Sequence, residues 1–286
     1  MEKIIINNKR KMKKLSVILL AAACVALPAC NNQNSENDET TVTKEPSQKE
    51  KFVTEDLKFN LEQLLESTKK MKSLPFLNNK DGKVKLTEQE KMVKPDYLLK
   101  TDNISEYVTL TQKYRAVAML TIDKSIAELY DMPVSDFDAA IGKLGVDIND
   151  PYLSEFSEKF ASSEDAGALI SDIYDKEYKE GRAQLFWEAV SAALVEQVYI
   201  CTKNMDKFLE AFDDESASEV TYNFVCVHEN ILQLTEFYPE MAALDKILTP
   251  LYVINAISVE QLRSQLYELK GQLESSRFIM MGQSAS

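Results

Sequence analysis

Residues 182–212 read RAQLFWEAVSAALVEQVYICTKNMDKFLEAF, and after a polar break, Asp213-Asp214-Glu215-Ser216, residues 217–238 read ASEVTYNFVCVHENILQLTEFY. In the first segment Trp187, Val190, Leu194, Val198, Cys201, Met205, Phe208 and Phe212 follow one another by three or four residues, the spacing of one helix face. The pattern resumes in the second as Val220, Phe224, Val227, Ile231, Leu234 and Tyr238. Neither segment contains Pro or Gly. Two long helices joined by so short a turn are expected to fold back as an antiparallel hairpin at the centre of the core. The predicted fold is therefore all-α: a single helical-bundle domain around a long antiparallel helical hairpin.

Composition agrees. The chain has 286 residues, of which 45% are hydrophobic, enough to bury a core. It contains only 7 Gly and 8 Pro, where an all-β fold would spend many of both on turns. The formal net charge is −13, and the first 29 residues hold six basic side chains against Glu2. Removing that net +5 segment from −13 leaves −18 on the rest. Such an acidic surface repels phosphate backbones, so no nucleic-acid partner is expected.

The N-terminus carries addressing information. Residues 9–14 form a basic run and residues 15–25 an apolar one, too short to span a bilayer. Leu27-Pro28-Ala29-Cys30 follows, with Leu three residues before a Cys and a small residue just ahead of it. This resembles a bacterial lipobox; Cys24 lacks the upstream Leu. The resemblance implies long-chain acylation at Cys30, such as with palmitate, and cleavage just before it. Asn31 through Lys51 hold almost nothing apolar and cannot repay their ordering entropy, so a flexible tether is expected there. Asn and acids after the Cys resemble surface lipoproteins of the Bacteroidota. The expected organisation is a signal peptide over 1–29, a tether over 30–52 and an all-helical domain over 53–282. The expected location is the bacterial cell envelope, lipid-anchored in the outer membrane, with the membrane and an envelope protein as partners.

Within the domain, helices are predicted over 54–73, from the capping box Thr87-Glu-Gln-Glu90, over 103–130, from Ser135, around Phe156 and Phe160, over 163–181, over 241–257 with Pro250 inside, and over 259–281. No fixed-period repeat is present. Residues 77–88 nearly match a calcium-binding loop, with Asn79, Asp81, Gly82 and Glu88 in register, but Leu77 stands where the first carboxylate belongs. A plain Asp-Gly turn is the preferred reading, and no metal, cofactor or catalytic set is expected.

Catalytic parts are scarce. His228 is the one His of the chain, so any His-based triad or metal pair would have to use it alone. It lies beside the Val227 stripe, where a half-buried His with a local hydrogen-bond partner is the expectation. The acids Asp172, Asp175, Glu177 and Glu180, and the run 213–215, read as solvated or capping charges. Trp187 reads as core. Cys201 and Cys226 stand level across the proposed hairpin, which favours a bridge, but Cys226 points off its stripe; two buried free thiols are the expectation. Two functional classes remain. The first is a non-catalytic envelope lipoprotein whose helical domain binds or supports a partner. The second is a His-independent envelope hydrolase using carboxylates, which would need paired carboxyls in a cleft. An anchored inhibitor of a basic protein, resting on charge alone, is a third.

Overall fold

Four side chains start helices by accepting otherwise orphaned backbone N–H groups. Thr87 opens α1 (Glu88–Met92) and Thr109 opens α2 (Leu110–Leu129), each in a reciprocal capping box with Glu90 or Gln112. Asp213 opens α6 (Asp214–Leu234), its Oδ1 accepting from the Ser216 N–H at 2.8 Å, and Ser258 opens α8 (Val259–Met280). Between them lie α3 (Ser135–Ile148), α4 (Ala183–Lys203), the single turn α5 (Met205–Phe208) and α7 (Met241–Tyr252). Short 3-10 turns occupy Thr101–Glu106 and Leu209–Ala211. This computed structural model describes Glu55, Phe59, residues 84–149, Ile173, Lys176, Glu177, residues 180–235 and residues 238–282, apart from the Cys226 side chain. All of them belong to the unit Pro46–Ser286. Among the described residues every regular element is helical, as the periodicity predicts. Most of the predicted 54–73 helix, the helix near Phe156 and nearly all of 163–181 lie outside them.

α4 is the middle of the bundle, and it is buried on almost every side. Trp187, Ala192, Val195 and Ile200 have no exposed surface although they point in different directions around the axis. Trp187 packs edge-to-face on Phe186 with ring centroids 5.2 Å apart, so it is core as expected. The most extensive packing of α4 is on α2, then on α8, and only a small part is on α6. α6 instead lies mainly against α7, and α7 against α8. The hairpin of sequence neighbours is thus present but is not where most of the burial happens.

Three predicted helices are shorter than their apolar pattern. The first long segment does not run to Phe212: α4 ends at Lys203, and Asn204 leaves helical geometry with φ −147° and ψ 65°. Phe208 still reaches the core through α5. The predicted 103–130 helix starts only at Leu110, where the Thr109 box competes successfully with the upstream residues. The 241–257 segment stops at Tyr252, with Pro250, whose missing N–H leaves the Lys246 carbonyl without its helical donor, in the last turn. Val84 and Leu86, which follow the Asp-Gly pair, are buried without forming a strand.

The apolar core has two parts. The larger gathers α4, α6, α7, α8 and one face of α2, and the smaller lies between the other face of α2, α3 and the first 3-10 turn. Residues 94–100, which take no helical form, cross the bundle as a strap whose Leu98 and Leu99 pack against both parts.

Candidate functional site

The polar chemistry of the domain is concentrated on one sector of α4. Glu188, Glu196 and Lys203 fall within about 80° of one another at 100° per residue. Each finds an opposite charge. Arg115 of α2 donates Nε to Glu188 Oε2 at 2.7 Å, with its Nη1 3.4 Å from the Met280 carbonyl of α8. Lys203 meets Glu274 of α8 at 3.0 Å and lies over the Tyr199 ring, 4.3 Å from its centroid. The rung between them is the deepest. Arg277 of α8 donates Nε and Nη2 to Glu196 at 2.7–3.0 Å, and its Nη2 also donates to the Tyr97 carbonyl of the strap at 2.9 Å. The guanidinium stacks over Tyr199 at 4.2 Å. Burial works against its charge, but Glu196 outweighs that and holds its pKa above the usual arginine range.

Asp123 of α2 adds a second carboxyl to this rung. Its exposure is 0%, and its Oδ2 accepts the Leu99 N–H of the strap at 2.6 Å. Oδ1 has no hydrogen-bond partner among the described residues. Burial first, and then the adjacent Glu196 charge, push the Asp123 pKa well above the ordinary carboxylate range; Arg277 and the Leu99 N–H oppose this without reversing it. One arginine thus serves two carboxyls, and it spends its carboxylate bonds on Glu196. The raised pKa of Asp123 eases the imbalance, because a protonated carboxyl there adds no second buried anion beside Glu196. Burial likewise raises the pKa values of the nearby phenols Tyr97 and Tyr107.

Two carboxyls packed side by side are the raw material of acid–base chemistry. Here both members have 0% exposure beneath the strap, so no solvent-borne substrate reaches them. The arrangement works as a buried clamp joining α2, α4, α8 and residues 94–100.

His228, the sequence candidate, lies elsewhere. Its Nε2 is 3.1 Å from Asp245 Oδ1 of α7, and its ring stacks on Tyr252 at 3.8 Å between centroids. The pair is about 30% exposed and fastens α6 to α7. Among the acids, Asp213 caps α6 as expected, and Asp214 Oδ1 accepts the Val259 N–H at 2.9 Å, tying the starts of α6 and α8. Glu177 departs from its solvated reading. It has no exposure and accepts from Tyr114 Oη at 3.0 Å and Arg182 Nε at 3.0 Å. Cys30 and most of the calcium-like loop lie outside the described residues. Glu88 of that loop is an exposed first-turn acid of α1. Among the described residues no cluster of three or more His, Cys, Asp or Glu side chains is disposed to hold a metal.

Cys201 is a buried free cysteine whose thiol pKa is pushed up to about 12 by burial. It borders a cavity of about 20 Å³ with Gln197, Val198, Phe212, Val220, Phe224, Leu262 and Leu266. That is room for roughly one water, but the walls are almost wholly apolar, so nothing there would orient a polar ligand.

Sequence reasoning passed over Asp123, Glu188, Glu196 and Arg277. The signal that could have found them is an isolated charge inside an apolar helical run, such as Asp123 between Ile122 and Ile126. Comparison with protein-family models, curated proteins and solved structures finds no match for this chain, so its own residues carry the functional reading.

Proposed function

We propose that the protein is an acylated envelope lipoprotein whose helical domain binds or supports a partner without catalysing a reaction. The observation that carries this reading is the sequence Leu27-Pro28-Ala29-Cys30 after a basic and an apolar run, followed by a polar tether. Acyl chains at Cys30 would anchor it, since each buried CH₂ adds about 0.8 kcal/mol and two or more chains hold firmly. Use of the deepest charges in a clamp rather than a cleft fits a structural or binding domain. A hydrolase reading would start from the Asp123 and Glu196 pair, which has no open face.

Cell fractionation tests the anchor. Wild-type protein is expected in the membrane fraction and Cys30→Ala in the soluble fraction. Retention of Cys30→Ala in the membrane without detergent would overturn the reading. Affinity capture from envelope extracts, with residues from Lys51 onward as bait, tests the binding role. Enrichment of one envelope protein supports it, and turnover of an envelope glycan by the bait supports the hydrolase.

A further inference from the structure

The strap and Asp123 make a device that the anchoring function does not require. We propose that Asp123 and residues 94–100 form a proton-operated clasp: the neutral acid keeps the strap closed over the α2/α4/α8 seam, and loss of the proton opens it.

The groups around Asp123 define its working. From α4 come the Glu196 carboxylate and the Tyr199 ring, from α8 the Arg277 guanidinium, and from the strap the Tyr97 phenol and the Leu99 N–H. Tyr107, just after the first 3-10 turn, also senses the Asp123 charge. Lys124, next in sequence, turns away to Asp138 of α3 at 2.6 Å and gives no help. Ionised Asp123 would therefore be a second buried anion beside Glu196, with one cation already committed. Such a charge needs water or a partner.

Water can reach it by one inexpensive route. α2, α4 and α8 cannot part here without loss of helical hydrogen bonds and core packing. The strap has no helical ladder, and Tyr97, Leu98 and Leu99 are partly rather than fully buried. Lifting it gives up the Leu99 N–H bond to Asp123, the Arg277 bond to the Tyr97 carbonyl and part of the Leu98 and Leu99 packing, a smaller loss than parting the helices. It admits solvent to Oδ1 and frees an Arg277 donor for the second carboxylate. Deprotonation and local opening are thereby linked, one proton to one opening.

The Leu99 amide reports directly, because its N–H is the bond to Asp123. Hydrogen exchange is measured on the full chain in detergent across a pH series. Ordinary base-catalysed exchange rises about tenfold per pH unit. A linked proton adds a further factor of about ten per unit between the solvated Asp value near 3.8 and the raised value in the closed protein. The expected result is a logarithmic slope of about two at Leu99, with α4 amides keeping a slope of about one. Asp123→Asn, which keeps the acceptor for Leu99 and cannot ionise, should return Leu99 to a slope of about one. A slope of one at Leu99 in the wild type would overturn the proposal, as would the same steepening at α4 and Leu99 together. Should Asp123→Asn fail to fold, the wild-type comparison of Leu99 with α4 decides the matter alone.

Discussion

Arg277 grips Glu196 through Nε and Nη2 at 2.7–3.0 Å across 81 residues of sequence, with both side chains buried. Two helices that are far apart in the chain are thereby held in one register. A buried pair of this kind adds little net stability over an apolar pair, but removal of one partner strands the other.

Arg277→Met should consequently lose about 3–5 kcal/mol, since it leaves Glu196 buried without its cation. Glu196→Leu combined with Arg277→Met should recover most of that loss. Urea denaturation monitored by circular dichroism measures both, and a double variant no more stable than the single one would contradict the clamp.

Asp123 gives the fold a pH dependence of definite sign. Its pKa is raised in the folded protein, so the stability that the neutral acid contributes is complete below its unfolded value near 3.8 and is lost as pH rises through the folded value. Each unit of difference corresponds to about 1.4 kcal/mol. Asp123→Asn should remove this alkaline decline, so its urea midpoint should exceed that of the wild type increasingly with pH. Parallel pH profiles for the two proteins would refute it.

Two glycines should respond oppositely to alanine. Gly271 lies inside α8, and a Cβ there meets nothing within 4 Å, so Gly271→Ala should stabilise by about 0.5–1 kcal/mol. Gly181 has φ +70° ahead of α4, where the Arg182 N–H donates to the Glu177 carbonyl at 2.7 Å. Gly181→Ala should cost about 1–2 kcal/mol from left-handed strain. Thermal unfolding of both variants checks the signs.

The Cys201 thiol, pushed up to about 12 and buried, should resist alkylation at pH 8 in the native protein. It should label promptly in urea. Mass mapping of the labelled peptide tests this, and fast native labelling would mean that the small cavity beside it opens readily.

What the sequence determined by itself is local. Helical class, the caps at Thr87 and Asp213, and the burial of Trp187 were legible because each depends on residues three or four apart along one chain. The half-buried setting of His228 was legible in the same way, from its place beside a stripe. The ends of α2, α4 and α7 were misjudged wherever an apolar pattern continued past a cap, a break or a proline.

What only the tertiary structure decided is partnership. A 3.6-residue pattern says that a face is buried but not against which helix, so nothing local reveals that α4 lies mainly on α2 and α8 rather than on α6. Charges follow the same logic. Glu196 in the sequence is one acid among many, and it becomes a clamp only when helix crossing brings Arg277, Asp123 and the strap around it. The energy of that site comes from shared burial, which exists only once distant segments have met.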